Sequence, residues 1–311
     1  MQLTGMILTG GMSITAPPPG GTKKAIFGYG IGGGSYQSLT NLVSDTGVVA
    51  NDTSGVGTAR QSLAAASYGT DKAIFGYGSP SGGLTAITNK VSNTGVVAGD
   101  TSGVGTARAD PGAASYGTDK AIFGYGVNYP TYYSLTNLVS NTGTVATDTT
   151  GVGTARQDPA AASYGTDKAI FGYGYNGSML SLTNLVSNTG VVATNTTGVG
   201  TARYILAAAG YGTDKVIFGY GASDTGVQSI TNLVSNTGVV ANDTAGVGTS
   251  RAGLAAAGYG GDKAIFGYGF NQYGQNQSLT NKVSNTGVVA DDTAGVGQIR
   301  QMLAAAGYSL S

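Results

Sequence analysis

The octapeptide DKAIFGYG, or a close copy, recurs six times along this chain, with its phenylalanines at Phe27, Phe75, Phe123, Phe171, Phe218 and Phe266. The intervals are 48, 48, 48, 47 and 48 residues. An arginine keeps the same beat at Arg60, Arg108, Arg156, Arg203, Arg251 and Arg300, and an asparagine does so at Asn41, Asn89, Asn137, Asn184, Asn232 and Asn281. A period of this length marks a supersecondary unit that cannot bury its apolar face alone and does so against its neighbours. Six copies of one unit therefore have to account for nearly all of the 311 residues.

Within the unit 60–107, apolar runs of strand length alternate with clusters of Gly, Asn, Asp, Ser and Pro. No apolar 3.6-residue period lasts the roughly ten positions a helix needs. The pattern predicts four strands, around Leu63–Tyr68, Lys72–Tyr77, Ile87–Val91 and Val96–Asp100. Four short strands repeated six times give an all-β expectation, a six-bladed β-propeller with four antiparallel strands per blade. The first unit begins at its second strand, near Lys24–Tyr29, and the chain ends on Leu303–Tyr308, so the C-terminal strand is expected to join the first blade and close the disc. Residues 1–21 stand outside the repeat as an N-terminal arm with a Pro/Gly linker, APPPGG, that docks under the disc or on a partner; residues 22–311 form the propeller.

An apolar strand ending in glycines, a later NTG turn, and GVGTAR leading into the next unit resemble the kelch repeat. Here the kelch glycine doublet is written Gly76-Tyr77-Gly78, and Leu and Val stand where kelch repeats carry an aromatic pair. The stretch TARYILAAAGYGTDKVIFGYG (201–221) resembles glycine-rich propeller repeats of tailed-bacteriophage virion proteins. That resemblance implies a virion location, manufacture in the host cytoplasm, and partners among other virion proteins and a host cell-surface glycan or protein. A homo-oligomer is left open.

Composition narrows the chemistry. Fifteen basic residues cancel fifteen acidic ones and form no basic stripe, so nucleic acid is not an expected partner. No stretch approaches the ~18 apolar residues of a spanning helix, and the N-terminus lacks the basic start of a signal peptide, so no membrane insertion is expected. The chain has no His and no Cys, which removes the commonest general base, the usual transition-metal ligands and the copper centre of kelch-type oxidases. Asp52, Asp100, Asp148, Asn195, Asp243 and Asp292 supply at most one acidic group per unit, far short of the roughly 6–8 oxygens calcium takes. The sequence Gly28-Tyr29-Gly30-Ile31-Gly32-Gly33 matches a dinucleotide fingerprint only once and no helix follows it. No cofactor, no metal and no enzymatic activity are expected.

The informative residues break the repeat. Loops between the second and third strands differ in every unit, as do the segments after each repeat arginine, and a meander brings both to one side. Tyr36, Tyr129, Tyr132, Tyr133, Tyr175, Tyr204 and Tyr273, together with Phe270, all fall in these variable segments. Loops of Tyr, Ser, Gly and Asn share the composition of antibody paratopes, in which Tyr gives contact area with few rotors to freeze. These eight aromatics are the expected ligand-binding residues, with Arg156 and Arg203 near enough to supply charge. The competing use of the six arginines is hydrogen bonding to nearby backbone carbonyls. Three functions compete: a virion adhesion module, a structural virion or assembly component docking through residues 1–21 or the invariant face, and a propeller enzyme acting on carbohydrate.

Overall fold

Each repeat folds into one three-stranded antiparallel sheet. The computed structural model describes residues 22–311, among which there is no helix, and the arm expected over residues 1–21 lies outside them. In the second unit the inner strand is Ala64–Tyr68, the middle strand Lys72–Gly76 and the outer strand Thr88–Val91. Tyr68 stands opposite Lys72 and Ala73 opposite Val91, a register that recurs in the other units. The first unit is assembled from both ends of the described chain. Its inner strand is Ala304–Tyr308, which pairs with Lys24–Gly28 so that Lys24 faces Tyr308 and Phe27 faces Ala305.

The fourth expected strand does not form a ladder. After the turn at Ser92–Val96 the chain makes only two isolated bridges to the outer strand, Val91 with Val97 and Thr88 with Thr101. Between them the Asn89 side chain takes the place of a backbone partner. Its amide donates to Ala98 O at 3.1 Å and to Asp100 Oδ1 at 2.9 Å. A side chain inserted there satisfies the carbonyl but bends the segment away from regular pairing. The second strand also stops one residue early, because Tyr77 takes φ +63° and Gly78 φ +104°.

Inner strands touch in cyclic order. Ala304–Tyr308 meets Ala64–Tyr68, contacts then run through Gly112–Tyr116, Ala160–Tyr164, Ala207–Tyr211 and Ala255–Tyr259, and the last of these returns to Ala304–Tyr308. Only small side chains fit at such a crossing, which explains the Ala, Ser and Gly composition of these strands. Backbone hydrogen bonds follow the same cycle. Gly69 N donates to Asp119 O at 2.7 Å, and the matching links run onward until Gly260 N meets Lys23 O and Ser309 N meets Asp71 O.

The middle strands interlock more tightly. A Cβ on Gly76 would lie 2.7 Å from Phe123 Cζ, so the glycine leaves the space that the next unit's phenylalanine fills. Next to it, the Tyr77 ring meets the same Phe123 ring edge-on at 5.1 Å. The series continues to Gly267 and Tyr268, which receive Phe27. A left-handed φ costs a bulky residue roughly 1–2 kcal/mol, and burying a large ring returns about 1.5–3 kcal/mol. The phrase that repeats in the sequence is thus a plug and its socket, each plug seated in the preceding unit.

Every sheet has a turn end, carrying the Gly69–Asp71 and Ser92–Val96 turns and their equivalents, and a loop end, carrying the variable loops. At the loop end, the segment after each repeat arginine pairs with the loop of its own unit, as in Arg60–Gln61 with Ser79–Pro80 and Arg251–Ala252 with Phe270–Asn271. Because the first unit is completed only by the C-terminus, deleting residues 301–311 should strip Lys24–Gly28 of one partner strand and lower Tm by more than about 10 °C, a loss of several kcal/mol in a protein of this size. A truncated chain that melts with the full-length one in differential scanning calorimetry would show that this pairing contributes little.

Candidate functional site

All six repeat arginines are buried, with 0% exposure. The Arg108 guanidinium lies over the Tyr77 ring of the preceding unit, 4.1 Å from its centroid, and Arg156 lies 4.0 Å from that of Tyr125. Arg108 Nε donates to Tyr125 O, Nη1 to Thr106 O and Nη2 to Asn137 Oδ1. Arg156 and Arg203, expected to lend charge to the variable face, are therefore not available to a ligand. Arg156 donates Nη1 to Thr154 O and Nη2 to Asn184 Oδ1, and Arg203 donates Nη2 to Asn232 Oδ1 with its Nη1 3.5 Å from Asp243; the Nε of each has no hydrogen-bond partner, and stacking on a tyrosine ring helps to offset the burial. Burial pushes the Tyr77 phenol up to about 12 against the opposing pull of Arg108, so the ring stays neutral beside the cation.

The repeat acidic position has a structural use. Asp100 accepts from Thr58 N at 3.1 Å, from Thr58 Oγ1 at 2.6 Å and from Asn89 Nδ2, and these bonds outweigh burial and hold its carboxyl below the ordinary 3.8. Among the described residues no three acidic, His or Cys side chains gather as a metal site. In the fourth unit Asn195 replaces the carboxylate, so Arg156 lacks the counter-charge that the other five arginines have nearby. Asn195→Asp should raise stability by about 0.5–1 kcal/mol at pH 7, allowing for partial solvent screening. Because the folded carboxyl titrates below its unfolded value, the gain should be present above pH 3.8 and disappear as the pH falls further; Tm against pH, compared with the parent chain, reads both features.

Four of the expected aromatics meet at the loop end. Tyr129 and Tyr132 come from the hairpin of the third unit, where Val127–Asn128 pairs with Thr131–Tyr132. Tyr175 ends the middle strand of the fourth unit, Lys168–Tyr175, and Tyr204 lies in the segment entering the fifth. Ring centroids are 6.2 Å apart for Tyr129 and Tyr132, 6.4 Å for Tyr132 and Tyr175, and 5.5 Å for Tyr175 and Tyr204. They form one row across three consecutive units. Tyr133 does not join it; its backbone is held between Gly126 and Arg156. Tyr36 sits in the hairpin of the first unit, and Tyr273, 76% exposed, and Phe270 belong to the sixth, where the Phe270 ring covers Gly253.

Sequence reasoning missed the two carboxyls beside this row. Asp110 and Asp158 occupy equivalent positions after Arg108 and Arg156, each followed by proline, and only these two units carry an acid there. Both take left-handed φ, 54° and 53°, and join a head-to-tail series in which Asp110 N donates to Ser62 O and Asp158 N to Asp110 O. They line a central cavity of about 90 Å³ together with Ser62, Ile205, Gly253 and Met302. Burial pushes the Asp110 carboxyl up to about 6, and burial together with the Asp110 charge raises Asp158 well above the usual carboxylate range. A charge on Asp110 therefore opposes ionisation of Asp158. Gln157 links them to the row, donating to Asp158 Oδ2 at 2.9 Å and accepting from the Tyr129 hydroxyl.

A second central cavity, about 280 Å³, opens at the turn end and is lined by repeat positions, including Ser67, Ser115 and Ser163 on one side and Gly210, Gly258 and Gly307 on the other. Each serine hydroxyl donates to the carbonyl of the preceding unit. No helix among the described residues is long and apolar enough to cross a membrane. No protein-family model matches the sequence, and no curated protein matches it either.

The carboxyl pair makes stability depend on pH. A folded pKa raised above its unfolded value leaves the full contribution in place below about pH 4 and removes it as the pH rises through the folded value near 6. Asp158→Asn keeps a hydrogen-bonding side chain without the charge. It should stabilise the protein by about 1–2 kcal/mol at pH 7.5 and by almost nothing at pH 4; equal effects at both pH values in thermal melts would show that burial does not raise the Asp158 carboxyl.

Proposed function

We propose that the chain is a six-bladed β-propeller serving as a non-enzymatic adhesion module of a virion, of the tailed-phage kind, and that its loop end binds a host-surface polysaccharide without cleaving it. The cyclic order of the six sheets and the pairing of first and last strands support the propeller reading. The observation that carries the binding reading is the row Tyr129, Tyr132, Tyr175 and Tyr204, drawn from three units at positions where the repeat is broken. Phenol rings offer a sugar both an apolar face and a hydroxyl partner, and such anchors carry a large share of binding energy. Asp110 and Asp158 line a small central cavity, and the chain has no His or Cys to serve as general base or nucleophile, which favours binding over cleavage.

A structural role remains the second reading, and one observation favours it. The turn end repeats a single exposed valine, Val48, Val96, Val191, Val239 and Val288, each 60–66% exposed, around the cycle. Such a surface suits docking on other virion proteins or on a further copy of the chain. The Tyr129→Ala, Tyr132→Ala, Tyr175→Ala triple variant separates the two. Its binding to a panel of bacterial surface polysaccharides should fall at least about 100-fold, since each anchor is worth ~2 kcal/mol, with Tm shifted by no more than about 2 °C. Binding that survives this change but is lost when Val96, Val191 and Val239 become Ser would move the site to the turn end.

A further inference from the structure

The chain is neutral overall, yet its charges are sorted by end. The lysines lie at the turn end. Most begin or flank the middle strands beside the Gly69–Asp71 type of turn, where Lys72, Lys120, Lys168, Lys215 and Lys263 pair with the preceding aspartate. The two exceptions, Lys90 and Lys282 on outer strands, extend toward the same end and donate from Nζ to Thr142 O and Thr46 O in neighbouring turns. The arginines are buried. Among the described residues the loop end therefore presents no exposed cation, while it carries Asp110, Asp158 and the exposed Asp224. Residues 1–21 contain no Lys or Arg.

Resting on the binding reading above, we propose that the tyrosine row takes a polysaccharide without acidic groups, preferring amine-bearing to neutral chains and excluding polyanionic ones. A carboxylate or phosphate brought against the row would lose hydration with no guanidinium or ammonium to pair with, and would approach carboxyls of like charge. A hydroxyl or N-acetyl group meets only phenols and Gln157 and suffers neither penalty. An ammonium gains from the field of Asp224 and of the Asp110 and Asp158 pair, which resists carrying two full charges at once, an attraction that salt screens beyond ~10 Å at 0.1 M. The preference belongs to the whole end of the molecule, and the tyrosine row supplies the contact.

Three hexasaccharides of matched length test this by isothermal titration calorimetry: a chitosan hexamer with free amines, its N-acetylated neutral form, and a hyaluronan hexamer. The expected order of affinity is amine, then neutral, then acid, with roughly tenfold between neighbours for one to two units of unscreened charge at low salt. The Asp110→Asn, Asp158→Asn, Asp224→Asn variant should reduce the chitosan affinity to that of the neutral oligomer. Hyaluronan binding as tightly as the neutral form, an order unchanged in the Asn variant, or no binding by any of the three overturns the proposal. The Tyr129, Tyr132, Tyr175 alanine variant is measured alongside. If hyaluronan binds the parent and that variant loses it, the tyrosine site stands and only the charge preference falls; binding indifferent to the tyrosines removes the site itself.

Discussion

Everything in this molecule depends on one contact made six times, a phenylalanine seated against the glycine and tyrosine of the unit before it. The geometry leaves no latitude at the glycine, because a methyl group on Gly124 would stand 2.9 Å from Phe171 Cζ. Nor can the ring move outward, since Tyr125 meets it at 5.1 Å and is itself covered by Arg156. A single unit has an inner strand of small residues and a middle strand whose buried side chains lack partners within the sheet. Stability is consequently a property of interfaces between neighbours, as in other repeat architectures. The contact of Phe27 with Tyr268 matters as much as any other, for it joins the ends of the chain.

The arginines show how the same interface accommodates a buried charge. A guanidinium removed from water is costly unless its donors are used, and Arg108 uses them on Tyr125 O, Thr106 O and Asn137. Asn137 then passes the interaction to Asp148, which in turn accepts from Thr106 N and fixes the segment leading to Arg108. The cation, the amide and the carboxylate thus form a closed circuit that ties the start of one unit to its own outer edge and, through the Tyr77 ring, to the unit before. One consequence reaches the surface. With every guanidinium buried inside, the loop end is left to carboxyls and phenols, and its chemistry is set by what the interior has withdrawn from it.

Much of this architecture was legible in the repeat itself. The period, the three ladder-forming strands and the joining of the last strand to the first follow from spacing and from an apolar run too short and too glycine-rich for a helix. The fourth strand was overread because Val-Val-Ala has strand propensity, while the decisive group, the Asn89 side chain reaching Ala98 O, lies on a different strand and leaves no local signal. Burial of the arginines was equally hidden, since a charged residue beside Gly and Thr looks exposed until the neighbouring tyrosine is placed over it. For the site, aromatic residues at positions that break the repeat did point to the tyrosine row. The same comparison between units would have found Asp110 and Asp158, because an acid before proline occurs in two adjacent copies and nowhere else at that position. What it could not supply is that adjacent copies bring the two carboxyls together.

The loop end can vary because the core stops abruptly before it. At the end of each middle strand a tyrosine and a glycine both take positive φ, which ends the ladder and turns the chain outward. Beyond that break a loop lies outside the phenylalanine, glycine and tyrosine interlock and meets its neighbours through peripheral contacts such as Asn276 with Ile31 O and Tyr129 with Gln157, so its sequence is freer to serve contact. The fourth unit departs from this rule. Its strands continue past the break as Lys168–Tyr175 and Met179–Val186, with a register shift between Gly172 and Gly174, so that Tyr175 pairs with Met179 and bridges to Gln157. Tyr175 lies within the row, between Tyr132 and Tyr204. A ring fixed by a strand ladder loses less freedom on binding than one carried by an open loop. The irregular unit therefore stiffens the part of the row that neighbours depend on, while Tyr129 at its exposed end is steadied by Gln157 and by the edge of the Tyr132 ring.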